Sequence, residues 1–458
     1  MKRALSLAAI FVCMVIVSIG SANRSADAAI SSIFTVNSTA DVSDVNPGNN
    51  VCETAVSNHI CTLRAAIQEA NAHSGADTIS IPSGTYQLTQ IAHDGFITAG
   101  LIITTPITIL GASANNTIID GNAAVLHARV FNITGTVTIS GVTIQHGHSY
   151  NTAGGIYNTG QLIIINSAII SNTANGLNDW GGGIYNAGPM TLTNSLIRGN
   201  TTGNHNAYGG GMYNQGPLLV IDSTFSDNST SAGTSSPGEG GGLFSIGYTT
   251  TIKTSTFSGN SAALGGGIYH GGYALYLINS TISGNNSDGG GGGIYNASGT
   301  IDLFNVTVVG NLANADNSGT AIGGGVDNNS GTFNFRNSII ALNGKVVVPG
   351  PIYVYSDCAG TITTQGYNIM KDTSDCIVAP VTIADPLLGP LQDNGGRTQT
   401  YALLSNSPAI NAGESPYCTD ALGAPITTDQ RGVTRPINSC DIGAYEYRWT
   451  MYLPLVKK

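Results

Sequence analysis

The sequence predicts an all-β chain folded as a right-handed parallel β-helix, with each repeat forming one coil of a solenoid. Three observations predict it. The pentad Gly-Gly-apolar-aromatic-Asn recurs, with substitutions, through the middle of the chain, and a second motif follows it each time at almost constant distance. Between the two motifs apolar and polar residues alternate, the period of a half-buried strand. Units of this size cannot close a core alone, but stacked units share one.

Taking the apolar residue as marker, the pentad falls at Ile156, Ile184, Met212, Leu243, Ile268, Ile294 and Val326, in steps of 28, 28, 31, 25, 26 and 32 residues. The second motif starts 10 residues after the marker in the first three repeats and 11 in the last four. Its central apolar residues, Ile169, Ile197, Phe225, Phe257, Ile282, Val308 and Ile340, form with the markers the two expected core columns. The motif ends in asparagine in every repeat, at Asn172, Asn200, Asn228, Asn260, Asn285, Asn311 and Asn343. Asparagine tolerates left-handed backbone, and its amide can bond the same amide one coil away, so this column is expected to be an internal ladder. A looser column, Asn158, Asn186, Asn214, Ser245, His270, Asn296 and Asn328, is expected to form a second. Residues 76–357 are read as coils, 29–75 as an N-terminal cap, 358–447 as terminal coils with a C-terminal cap, and 448–458 as a tail.

The composition agrees with a folded, exported chain. Of 458 residues only 9% are charged, 41% are hydrophobic and 61 are glycine. Glycine-rich disorder carries more charge and less apolar content. The net charge of −10, without a Lys/Arg cluster, excludes nucleic acid as a main partner. Lys2 and Arg3 precede an apolar run too short to span a bilayer, and Ala26-Asp27-Ala28 has the small-x-small pattern of a cleavage site, so residues 1–28 read as a secretory signal. Cleavage after Ala22 is the second option. Losing Lys2, Arg3, Arg24 and Asp27 takes the charge from −10 to about −12, and the mature chain has no expected membrane span. Six cysteines remain, and sequence proximity pairs Cys52 with Cys61, Cys358 with Cys376 and Cys418 with Cys440.

A solenoid must cover its ends. Thr62 is placed to cap a helix whose Leu63, Ala66, Ile67 and Ala70 share one face. The run CTLRAAIQEAN from Cys61 resembles the CSLREA motif of exported bacterial β-helix proteins, with Thr62 and Ala65 in place of its Ser and Glu. FSDN from Phe225 and FSGN from Phe257 resemble the repeats of polymorphic outer-membrane proteins. DNGGRTQTYALLSNSPAINAG from Asp393, TDQRGVTRP from Thr428 and CDIGAYEY from Cys440 resemble the choice-of-anchor Q domain. These resemblances imply a pectate-lyase-like superhelix at the cell surface.

Candidate sites are few. In the repeats the acidic and basic residues scatter over different columns, and no nucleophile or metal motif occurs, so no cofactor is expected and no metal is named. The loop before the marker gathers Trp180, Tyr208 and Glu239 at equivalent positions, with His146, His148, Tyr150, Asp179 and His205 nearby. Asp179 and Glu239 are the weak catalytic candidates, about 10 Å apart by coil spacing if the loops stay in register. The residue after each marker, Tyr157, Tyr185, Tyr213, Phe244, Tyr269 and Tyr295, should point outward as an exposed aromatic strip, extended at its rim by Trp180 and Tyr208. Such a strip either stabilises the rod by stacking or offers flat faces to a polysaccharide or cell-surface glycan. The reading that follows is an adhesive or carbohydrate-binding scaffold without catalysis. The alternative is a polysaccharide lyase or glycoside hydrolase.

Overall fold

The computed structural model describes residues 31–448 apart from 95–96, 177–178, 204–205, 232–237, 318–320, 348–351, 414–417, 421 and 437–438. The expected signal segment, His205 and all but the first residue of the expected tail lie outside the described residues.

The coil that begins at the second marker shows the plan. Strands Ile184–Asn186, Met190–Thr193, Leu196–Arg198 and Thr201–Gly203 follow one another around the rod. Each pairs in parallel with its counterparts in the preceding and following coils. The first two strand positions merge into a 23-stranded sheet, the third forms a 12-stranded sheet and the fourth a nine-stranded one. The chain is therefore a parallel β-helix, as expected. Stacking begins earlier than the glycine pentads, because Ile33–Thr35 already pairs with Asp77–Ile81. Antiparallel pairing among the described strands is confined to three hairpins, Ala92–Asp94 with Ile97–Ile103, Gly344–Val347 with Ile352–Tyr355, and Leu388–Gln392 with Thr400–Leu403.

Both predicted core columns are wholly buried and belong to one continuous core. Like side chains stack on like within it, and Phe225 lies on Phe257 with ring centroids 4.5 Å apart.

The asparagine ladder is present. Each Oδ1 from Asn200 to Asn343 accepts from both the backbone amide and the Nδ2 of the asparagine one coil before, at 2.8–3.0 Å. Gly147 donates to Asn172 at one end, and the Asp357 carboxylate accepts from Asn343 at the other. The expected reason for asparagine needs correcting. The left-handed residue is the one before each ladder asparagine: Ser171, Gly199, Asp227, Gly259, Gly284, Gly310 and Leu342. Asparagine is selected for its side-chain bonds, since this corner is fully buried and its backbone donors need acceptors. The looser column is only partly a ladder. Asn158, Asn186 and Asn214 bond in sequence, as do Asn296 and Asn328. Ser245 and His270 interrupt it, and burial lowers the His270 pKa to about 4, so the ring is neutral inside the core.

The ends are closed as physical chemistry requires. Thr62 accepts from the Ala65 amide at the start of helix Leu63–Ala72, which buries Leu63, Ala66, Ile67 and Ala70 over the first coil. Arg64, inside the helix, is buried and bidentate to Asp41 at 2.7 and 2.9 Å, and it also donates to the carbonyls of Gly100 and Gln90. At the far end, the described residues between Leu388 and Tyr447 fold back along the outside of the third-position sheet. All three expected cysteine pairs are bonded. No described helix is long and apolar enough to cross a membrane.

Two outcomes follow. Asn260→Ala removes the acceptor for two buried donors of Asn228, so denaturant titration should show a loss of about 2–4 kcal/mol, whereas Asn286→Ala at an exposed position should change stability by less than about 0.5 kcal/mol. In protein secreted under oxidising conditions, all six mature cysteines should resist alkylation until reductant is added; free thiols at any pair would contradict the bonding pattern.

Candidate functional site

The aromatic column lies on the outside of the first strand position because the marker beside it points inward. Register places Tyr157, Tyr185, Tyr213, Phe244, Tyr269 and Tyr295 one coil apart. Their centroids are separated by 4.8, 5.3, 5.1, 4.8 and 5.4 Å, with planes within 19° of parallel. The guanidinium of Arg129 sits 4.6 Å from the Tyr157 centroid and caps one end of the stack.

The strip is not the open platform expected. Tyr185, Tyr213 and Phe244 are only 8%, 3% and 6% exposed. The loop before each glycine pair bends back over the strand, and Trp180, Tyr208, Glu239 and Leu264 stay in register through single bridges. Three of these reach toward the ring one coil further on: Trp180 stacks on Tyr213 at 5.2 Å, Tyr208 covers Phe244 at 4.7 Å and Glu239 meets Tyr269. Gln215 bridges the Tyr185 and Tyr213 hydroxyls, and burial pushes the Tyr213 pKa up to about 12. Tyr157, Tyr269, Tyr295, Trp180 and Tyr208 remain half-buried. The middle of the column is core-like stacking, with partial access only at its ends and rim.

Nor do the two catalytic candidates face a common cleft. Asp179 is fully buried, and its Oδ1 accepts from the Gly176 amide within its own loop. Glu239 is half-buried and accepts from the Tyr269 hydroxyl; burial raises its pKa. In the next two coils the covering residues are Leu264 and then Gly290. Gly290 leaves space that the Asp327 carboxylate enters, because a Cβ at 290 would collide with Asp327 Oδ2. Asp327 thus ends the ring column, and burial raises its pKa to about 6.

The histidines divide. His146 pairs with Asp120 at 2.9 Å. His148 joins Tyr150 and His127, with the Nδ1 atoms of the two histidines 2.9 Å apart. His127 precedes the repeats and was missed. No group of three or more His, Cys, Asp or Glu side chains suited to a metal occurs among the described residues.

The sequence also missed an open groove on the third-position sheet. The outward columns there carry hydroxyls: Thr224, Thr256, Thr281 and Thr307, and beside them Ser226, Ser258 and Ser283. The returning C-terminal segment binds the later members. Thr256 donates to the Gln399 carbonyl at 2.7 Å, Thr281 to Gln430 at 2.7 Å, and Ser283 shares a 2.6 Å bond with the Tyr401 hydroxyl. The segment stops covering the sheet near Arg397, which lies 3.5 Å from Asp222 and has a side chain 58% exposed. Beyond it a groove of about 580 Å³ runs over Arg198, Thr224, Ser226, Asp227, Ser258 and Gln399. A second hollow of about 380 Å³ adjoins it, lined by Asn166, Asn194 and Asp222 and also reaching Arg397. The hydroxyl columns were legible in STFSDN and STFSGN; the arm that bounds them was not.

The sequence matches no family model, and no curated protein matches it. Among solved structures the chain is similar to pectate lyase Pel9A, with 15% identity over 91% of this chain and 96% of that one and a TM-score of 0.48. It is also similar to a mannuronic acid-specific polysaccharide family 6 lyase from human gut microbiota, with 11% identity over 66% of this chain and 77% of that one and a TM-score of 0.27. The family 6 alginate lyase AlyGC aligns at 10% identity over 82% of this chain and 57% of that one, with a TM-score of 0.28.

Because the Asp327 pKa rises from 3.8 to about 6 on folding, the native state holds more protons than the unfolded state between those values. Stability from this group is then present below pH about 4 and is lost as pH rises through about 6. Asp327→Asn should therefore be more stable than the natural protein above pH 6, by about 1–2 kcal/mol after solvent screening. The gap should close toward pH 4, as thermal melts across that range would register.

Proposed function

We propose that this protein is an exported, cell-surface-associated β-helix scaffold that binds a carboxylate-bearing polysaccharide without cleaving it. The observation that carries this reading is the groove beside Arg397. It runs along the rod and is open to solvent. Threonine and serine hydroxyls repeat along its floor at the coil step, with Arg198 and Arg397 beside them. Hydroxyl columns suit a polymer of sugar rings, and the guanidinium fork matches a carboxylate with two parallel bonds. The three cysteine pairs support a place outside the reducing cytosol.

The alternative is a polysaccharide lyase or hydrolase acting at the aromatic edge. Its support is that burial raises the carboxyls of Glu239 and Asp327 beside Tyr269 and Tyr295, the behaviour wanted in a general acid. Affinity electrophoresis on polygalacturonate and alginate, beside assays for reducing ends and unsaturated products, separates the two. The natural protein should be retarded and release nothing. Arg198→Ala/Arg397→Ala should lose about tenfold or more in affinity, with the natural protein's binding weakening as salt rises. Product formation abolished by Glu239→Gln or Asp327→Asn would replace the scaffold with an enzyme, and retention of binding by the arginine double variant would remove the groove.

A further inference from the structure

The extra residue that lengthens the last four repeats lies at the corner between the first and second strand positions. Three residues separate Asn214 from Leu218, but four separate Ser245 from Thr250 and His270 from Leu275. In the shorter coils this corner holds Gly160, Gly188 and Gly216, where a Cβ would collide with carbonyl oxygens of the coil before. No side chain can leave the rod at those glycines. In two adjacent lengthened coils tyrosine takes the place of that glycine, since Leu218 pairs with Thr250 and so sets Tyr248 opposite Gly216. Tyr248 and Tyr273 occupy equivalent positions, since Thr250 pairs with Leu275 and the Tyr273 amide donates to the Gly247 carbonyl at 2.9 Å. Their relative exposures are 64% and 79%, unlike the rings of the covered column. The next two coils return to glycine at this position, Gly299 and Gly331.

A trough of about 270 Å³ runs along the rod as far as Thr249, the residue after Tyr248. Its lining includes Gln161, Ile163, Pro189, Pro217, Leu219 and Thr249, the last adjacent to Tyr248, and no ionisable group belongs to it. Apolar floor, aromatic faces and hydroxyl or amide rims therefore align with the axis over consecutive coils. Tyrosine supplies a large amphipathic contact at small entropic cost, and exposed apolar surface with a polar rim marks a binding site. We propose that this corner binds a linear, uncharged polysaccharide lying along the rod, its sugar faces on Tyr248 and Tyr273 and its chain continuing into the trough. Lack of charge in the lining excludes a polyanion as the preferred occupant, and the site is independent of the arginine groove.

The test uses the mature protein and three soluble neutral polymers, a mixed-linkage β-glucan, an arabinoxylan and a galactomannan, in affinity electrophoresis. At least one should retard the natural protein. Tyr248→Ala/Tyr273→Ala should weaken that binding about tenfold or more while leaving the melting temperature within about 2 °C, and Tyr248→Trp should retain it. Arg198→Ala/Arg397→Ala should bind the neutral polymer normally. The proposal is overturned if none of the three polymers retards the natural protein, or if the tyrosine double variant binds equally. It is also overturned if sedimentation shows a dimer that dissociates in the double variant without any polysaccharide binding, which would make a second copy the occupant.

Discussion

Everything on this rod depends on coils stacking without slip, and the buried asparagine ladder holds that register. A left-handed residue turns the chain, and the Oδ1 of the asparagine after it accepts from both the backbone N–H and the Nδ2 of the asparagine one coil before. Each asparagine both accepts and donates through its side chain at a fully buried corner. A slip by one residue would move every inward side chain outward and leave those buried donors without acceptors. The ladder needs an acceptor that asks for none in return at its last step, and the Asp357 carboxylate supplies it while also accepting from the Lys371 and Asp372 amides.

Fixed register turns a repeated sequence into columns of like side chains about 4.8 Å apart. Phenylalanines stack inside and tyrosines stack outside for the same geometric reason. A column is thus mainly a consequence of repetition, and the covered part of the aromatic edge fits that role. Individuality lies where the repetition breaks: Asp327 where the rings end, Arg198 beside the serine of the next coil, and two tyrosines at a corner otherwise held by glycine.

The two ends are built differently from the middle. Both rest on buried ions that are paired and further hydrogen-bonded, the condition under which burial of charge is tolerable. Arg64 meets Asp41 at the N-terminal cap, and Arg435 meets Glu446 while donating to Asn279 and three carbonyls. Arg435 therefore ties the C-terminal arm to a coil far from it in sequence. The arm covers Val309, Ile339 and Ala341 with Leu403, Ala409 and Ile442, then continues over the hydroxyl columns to Arg397. Its extent sets where the groove begins.

What the sequence determined by itself was whatever repeats or is local. The marker columns, the ladder asparagines, the capping helix from Thr62 and the neighbouring cysteine pairs follow from periodicity, capping chemistry and short loops, and each is present. Tertiary structure alone decided what covers what. Trp180 and Tyr208 hide the rings of the following coil because their loops curl back, a backbone path that alternation does not encode. The pairing of Asp179 with Glu239 failed for the same reason, as one carboxyl turned into its own loop. Gln430 reaches Thr256, 174 residues earlier, and Thr398 reaches Thr254, 144 residues earlier. Contacts between segments so distant, one of them outside the repeat, leave no periodic trace, and they are what separates an open groove from a buried face.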